Sequence, residues 1–378
     1  MSELQRIVDD LVSGGLPGAA ALIDRDGEAE TAVAGLATAD GRPMTAGSLF
    51  RVASLTKPIL GALTMCLVDD GTVKLSDQIG RWIPELAEPR VLRTPGSALG
   101  DTVAADRPIT VEDLLTFRSG IGFPGDFTYP VVGLIGGLVQ QVPGQSVPAA
   151  SVEDWLQRLA GVPLVHQPGA GWTYNTSADI LGVVVARATG RDLPDLMRER
   201  LFEPLAMSDT GFAVASGSEG RLTDQWAADG LAVVEPAAAS EALTLPAFPS
   251  GAGGLVSTIG DLLRFGRMLT GGGSVDGVRV LSSDSADAML TDQLTADQRA
   301  AGALFLDGQG WGFCGSVDRD GPNPWNVAGR YGWVGGTGTS AHVVPADGTV
   351  AVLLTSAMLS GPTDSERFER FWSYSTAG

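Results

Sequence analysis

The sequence predicts an α+β protein: one antiparallel sheet, flanked by helices and assembled from both ends of the chain, with a mainly helical segment inserted between. Three observations predict it. β-like runs with Asp-Gly turn signals fall near the two ends, within residues 18–34 and 311–354. Helix-start signals and helical spacing of apolar residues dominate the interior. No internal repeat or low-complexity tract interrupts the 378 residues, a length that buries a large core and divides into two lobes. The expected division is a mixed lobe from residues 1–85 plus 250–378 and a helical lobe from 86–249, with the active site between them.

Taken in order, Gly18 to Ile23 and Glu28 to Ala34 read as two strands joined by the hairpin signal Asp26-Gly27. The β-like run Phe50-Arg51-Val52-Ala53 then gives way at Ser54 to a helix, with Ile59, Leu60, Leu63, Cys66 and Leu67 on one spacing and Gly71 as its stop. Residues 91–108 form a loop rich in Gly, Pro and Asp. Thr110 and Asp113 make a capping-box pattern for a helix ending near Phe117-Arg118-Ser119-Gly120, and residues 122–130 an irregular loop carrying Phe123, Phe127 and Tyr129. Ser151 opens a further helix through Trp155 to Leu159. Thr176 with Asp179 predicts another capping box, continuing to the Gly190 stop, which leaves Tyr174 on the preceding loop, where a phenol can project into a cleft. Asp192 to Phe202 reads as a helix and 213–249 mostly as loop. Thr258 and Asp261 cap a helix over 262–269, ended by Gly271-Gly272-Gly273. Arg330 to Val334 and Thr339 to Val344 are strand-like around Gly335-Gly336-Thr337-Gly338, Asp347-Gly348 turns into a strand over 349–354, and 365–373 closes as a helix.

Composition narrows the function. A hydrophobic content of 44% with 18% charged residues fits a soluble globular enzyme, and a formal charge of −19 disfavours nucleic acid or an anionic membrane as partner. No charge-free run of about 18 apolar residues is present, so no membrane span is expected. The first residues, Met1-Ser2-Glu3-Leu4-Gln5-Arg6, lack the pattern of a signal peptide, and cytoplasmic residence is the expectation. Cys66 and Cys314 fall in apolar runs and read as small core residues. His166 and His342 form no metal-ligand pattern and accompany no Gly-x-Ser-x-Gly elbow, so both read as structural, and no metal or other cofactor is expected.

The stretch that carries chemistry is Ser54-Leu55-Thr56-Lys57. On a helix, Lys57 lies one turn beyond Ser54 on the same face, and the helix N-terminus favours both a negative oxygen and a neutral amine. A neutral lysine beside a serine is a base beside a nucleophile. The competing reading is a capped helix with an exposed lysine. Against it, the chain has 25 Lys plus Arg but only two lysines, Lys57 and Lys74. Arginine serves elsewhere, and arginine cannot give up its proton.

Phe50-Arg51-Val52-Ala53-Ser54-Leu55-Thr56-Lys57-Pro58, Leu114 to Gly120, Tyr174 and Tyr331-Gly332-Trp333-Val334-Gly335-Gly336 together resemble the serine β-lactamase and penicillin-recognising superfamily. The nearest branch holds the class C β-lactamases and family VIII carboxylesterases, and the resemblance runs from about Gly18 to the C-terminal helix. It implies a β-lactamase-like fold and Ser54 as nucleophile. It also implies Lys57 and Tyr174 as proton-transfer groups, and the backbone N–H groups of Ser54 and Gly336 as the oxyanion hole. A glycine there lets a backbone donor approach unobstructed. Phe117, Tyr129, Asn175, Trp333 and Gly335 are the implied substrate-binding residues. Two departures stand out. Asn175 directly follows Tyr174, where the family often has Tyr-x-Asn. Trp333 replaces the usual Lys or His of the third motif, as in family VIII esterases.

The implied activity is a serine carboxylesterase or acyl transferase acting on small neutral esters, with Trp333 as a flat apolar wall for the substrate. The alternatives are a β-lactam or amide hydrolase with the same catalytic set, and a non-catalytic relative that binds a ligand.

Overall fold

The computed structural model of the protein describes every residue except 149, 322, 363 and 378. Its centre is a seven-stranded antiparallel sheet. In spatial order the strands are Gly310–Trp311, Ser316–Val317, Tyr331–Gly335, Thr339–Val344, Thr349–Thr355, Gly18–Arg25 and Glu28–Gly35. The two ends of the chain meet in the middle, where Ala19 pairs with Thr355 and Asp24 with Val350. All residues of Thr349–Thr355 are buried, as expected for a strand covered on both faces. Asp26 and Gly27 both take positive φ, 52° and 84°, the geometry of a tight hairpin turn.

Alternation along Thr339–Val344 assigns the two faces. Ser340 and His342 point to the C-terminal helix Glu369–Thr376, where Trp372 Nε1 donates to Ser340 Oγ at 2.9 Å and His342 packs edge-on against the indole. Thr339, Ala341 and Val343 point the other way, towards the segment around Val52 and the helix Ile259–Thr270. That helix lies very close: a Cβ on Gly266 would meet Val350 at 2.4 Å. The helix Glu3–Ser13 packs against both Gly18–Arg25 and Glu369–Thr376.

Two helices buried along most of their length, Thr56–Asp69 and Thr176–Thr189, pack on each other. The capping box of Thr110 and Asp113 forms as expected, and Ser151 and Thr258 accept from the backbone N–H three residues on. Elements not anticipated include the helices Glu3–Ser13 and Val131–Gly136, the hairpin Val139–Val142 with Gln145–Pro148, and the short helices between Ser283 and Leu306. The stretch 91–108, read as a loop, instead carries part of an antiparallel pair, Arg90–Leu92 with Thr102–Ala104. No helix among the described residues is long and apolar enough to cross a membrane.

Candidate active site

Ser54 does not open the long helix. It lies in a 3₁₀ turn, Ala53–Leu55, and the α-helix starts two residues later at Thr56. Ala53 has φ +45°, a left-handed conformation that costs an alanine roughly 1–2 kcal/mol. Neighbours hold it there. Val52 N–H donates to Leu255 O at 3.0 Å, Thr337 Oγ1 to Arg51 O at 2.6 Å, and Thr339 Oγ1 to Val52 O at 3.1 Å. The Ser54 segment is thereby fastened to the glycine turn at the end of strand Tyr331–Gly335.

The three-residue spacing still brings Lys57 back over Ser54: Nζ donates to Ser54 Oγ at 2.9 Å and to Ala252 O at 2.5 Å. Tyr174 Oη donates to the same Ser54 Oγ at 3.0 Å and accepts from Trp333 Nε1 at 2.7 Å. Lys57 Nζ also lies 4.8 Å from the centre of the Tyr174 ring. Tyr174 is fixed by a two-way backbone bridge to Phe123, at 2.8 and 2.9 Å, and by stacking on Phe305 at 4.6 Å.

Burial sets the protonation states. Lys57 is fully buried, and loss of hydration lowers its pKa to about 7, against the opposing pull of the Asp179 charge. Burial likewise raises the Tyr174 phenol to about 12, although its bonds with Ser54 and Trp333 act the other way. Near neutral pH the lysine can therefore take a proton while the tyrosine keeps its own.

Glycines at 335 and 336 are required by close approach. A Cβ on Gly335 would meet Val52 O at 2.4 Å, and one on Gly336 would meet Gly144 O at 2.2 Å. Gly144 is the tip of the unanticipated hairpin, which therefore rests on the turn proposed from sequence for the oxyanion. The Gly336 N–H makes no hydrogen bond among the described residues, and Gly336 lines the same cavity as Ser54.

That cavity has a volume of about 570 Å³. Ser54, Tyr174 and Gly336 are in its wall, with Phe123, Phe127 and Phe305 on one side and the 358–362 segment on another; no charged side chain among the described residues lines it. Asn175 and Gln145 also face it, and Asn175 Nδ2 and Gln145 Oε1 are buried without a partner among the described residues.

Several sequence-predicted binding residues are placed differently. Trp333 is not a wall of the cavity. It is 2% exposed, stands edge-on against Trp311 and turns its N–H to Tyr174. Phe117, with φ +59°, is buried beneath Trp172, Tyr174 and Trp311. Tyr129 lies outside the cavity wall beside Gly96, and Gly335 contributes close backbone packing instead of a surface. The Thr176–Asp179 capping box does not form. The chain enters the helix through Asn175 at φ 78°, which makes Thr176 the first helical residue and leaves its hydroxyl unpaired. Asp179 turns instead to the loop at 250–252, accepting from Ser250 Oγ at 2.7 Å and Ala252 N–H at 3.1 Å. The sequence pattern pointed to neither Ala252 nor Phe305, because both reach the site only through tertiary packing.

The remaining candidates for charge are occupied elsewhere. Arg330, on the opposite face of its strand from Trp333, is paired with Asp318 at 2.8 Å between the rings of Trp325 and Trp372. His166 and His342 lie outside the cavity wall, and no group of three His, Cys, Asp or Glu among the described residues could hold a metal ion.

Known proteins share this architecture. The chain is 39% identical over 326 residues to Protein Rv1367c of Mycobacterium tuberculosis, covering 83% of this chain and 79% of that one. It is 32% identical over 371 residues to Esterase EstB of Burkholderia gladioli, covering 92% and 87%. The solved structure of EstCE1, described as a hydrolase with promiscuous acyltransferase activity, superposes with a TM-score of 0.79 at 24% identity, covering 98% and 97%; at that identity the likeness concerns the fold. Residues 4–373 match the family described as Beta-lactamase, and the protein is a member of that family, with the β-lactamase-like fold of its esterase relatives.

Proposed function

We propose that the protein is a serine carboxylesterase or acyl transferase for small neutral esters, working through an acyl-enzyme on Ser54. The observation that carries this reading is Ser54 Oγ held between Lys57 at 2.9 Å and Tyr174 at 3.0 Å, in a cavity lined by no charged side chain among the described residues. Lys57 takes the Ser54 proton as Oγ attacks the ester carbonyl. The resulting oxyanion is met by the N–H groups of Ser54 and Gly336. Tyr174 passes a proton to the departing alcohol, and Lys57 restores it. Water, or a second alcohol, then attacks the acyl-enzyme by the same steps in reverse. The uncharged aromatic wall suits apolar acyl or alcohol groups. Similarity to an esterase, at 32% identity over most of both chains, supports the choice of ester.

One feature favours a second reading, hydrolysis of an amide or β-lactam. Asn175 Nδ2 and Gln145 Oε1, an unpartnered donor and acceptor, complement an amide group of a substrate. Comparing kcat/KM for p-nitrophenyl butyrate, nitrocefin and a D-alanyl peptide separates the two. The ester should be turned over far faster; equal efficiency on nitrocefin would promote the second reading.

A further inference from the structure

Asp179 is fully buried on the first turn of Thr176–Thr189. Its Oδ1 accepts from Ser250 Oγ and from Ala252 N–H, but its Oδ2 is buried with no partner among the described residues. An isolated buried carboxylate oxygen is costly, and packing alone does not account for it. What does account for it is the next bond along. Ala252, whose N–H Asp179 holds, presents its carbonyl to Lys57 Nζ at 2.5 Å.

We propose that Asp179 is a positioning residue for Lys57. Through Ser250 and Ala252 it holds the Ala252 carbonyl on Nζ, and it supplies the negative charge that faces the ammonium formed when Lys57 takes the Ser54 proton. The proposal rests on the acyl-enzyme reading above. The step moves one proton from Oγ to Nζ, so a positive charge appears where only buried groups can answer it. The other groups around Lys57 are neutral: the Ser54 hydroxyl, the face of the Tyr174 ring, the Ala252 carbonyl, and the Cys314 thiol, which burial pushes up out of its ionising range. Among these described groups Asp179 is the one that adds a charge. Burial raises its carboxyl to about 6, with Ser250, Ala252 and the Lys57 charge acting the other way, so it is ionised on the plateau above pH 7.

The test uses a fluorophosphonate probe, because its rate of attachment to Ser54 reports nucleophile activation without any substrate. The second-order labelling rate is followed against pH for the unmodified protein, Asp179→Asn and Ser250→Ala, with circular dichroism as the check on folding. Asparagine keeps the shape and removes the charge, so the ammonium loses support. The acidic midpoint should move down by about one pH unit, the scale of one nearby opposite charge, and the plateau rate should fall. Ser250→Ala, which keeps the carboxylate but removes one of its donors, should shift the midpoint the same way by less. It carries the test if Asp179→Asn does not fold. Unchanged midpoints, with or without a slower plateau, would overturn the positioning role. Labelling of the unmodified protein at a serine other than Ser54 would overturn the acyl-enzyme reading and this proposal with it.

Discussion

Trp333→Phe separates the role expected of this residue from the one its geometry gives it. Phenylalanine keeps an aromatic ring against Trp311, and with part of the buried ring volume it removes the N–H that Tyr174 Oη accepts at 2.7 Å. In the resting site that bond is neutral and worth about 1 kcal/mol net. As the phenol gives its proton to a leaving alcohol, Oη gains negative charge, and a hydrogen bond to a charged group is worth about 1.5–3 kcal/mol. Only the difference between the two states, about 0.5–2 kcal/mol, enters kcat. The substitution should therefore lower kcat on an alkyl ester such as ethyl butyrate, whose leaving alcohol needs the proton, by roughly 2- to 30-fold, at about tenfold per 1.36 kcal/mol. KM should change little, because the ring is 2% exposed and outside the cavity wall. Steady-state kinetics on folded protein, verified by thermal melting, reads both quantities. A raised KM with unchanged kcat would refute the argument and restore Trp333 as a substrate wall.

Lys57→Met, close in shape but without the amine, should lower kcat by at least ~10²-fold, the scale of general-base catalysis; near-normal turnover would remove Lys57 from the mechanism. The pH profile of kcat/KM should show an acidic limb near pH 7. Lys57 acts as base only when neutral, its pKa is lowered to about 7, and activity is lost as pH falls through that value. Tyr174, raised to about 12, should produce no alkaline limb below about pH 10, and one appearing near pH 8 would contradict its protonated state. Gly336→Ala sets a Cβ 2.2 Å from Gly144 O, so either the turn or the hairpin tip must move, and kcat should fall roughly 10²-fold. Unchanged kcat would exclude Gly336 from the oxyanion hole.

How far the site could be read from sequence followed the range of each signal. Ser54 and Lys57 lie three residues apart on one helical turn, so their meeting is local, and it survives the helix starting two residues late. Tyr174 was legible as the end of a loop before a helix. Arg330 and Trp333, an odd offset apart, fall on opposite faces as strand alternation requires. The partner of the indole was not legible, since alternation gives a face and not what packs on it. Thr176 and Asp179 show the limit of a spacing pattern: the same two residues fit a capping box, but the positive φ at Asn175 moves the cap one residue back and frees the carboxylate for Ser250 and Ala252. Pro143-Gly144 between two polar-apolar runs is a turn signal and could have revealed the hairpin, though not its rest on Gly336.

The central claim is that Ser54 forms the acyl-enzyme. Intact-mass and peptide mass spectrometry after fluorophosphonate treatment tests it most directly. One adduct per chain, on Ser54, with labelling and ester turnover both lost in a folded Ser54→Ala variant, is the expected result. An adduct on another serine, or turnover that survives Ser54→Ala, would contradict it.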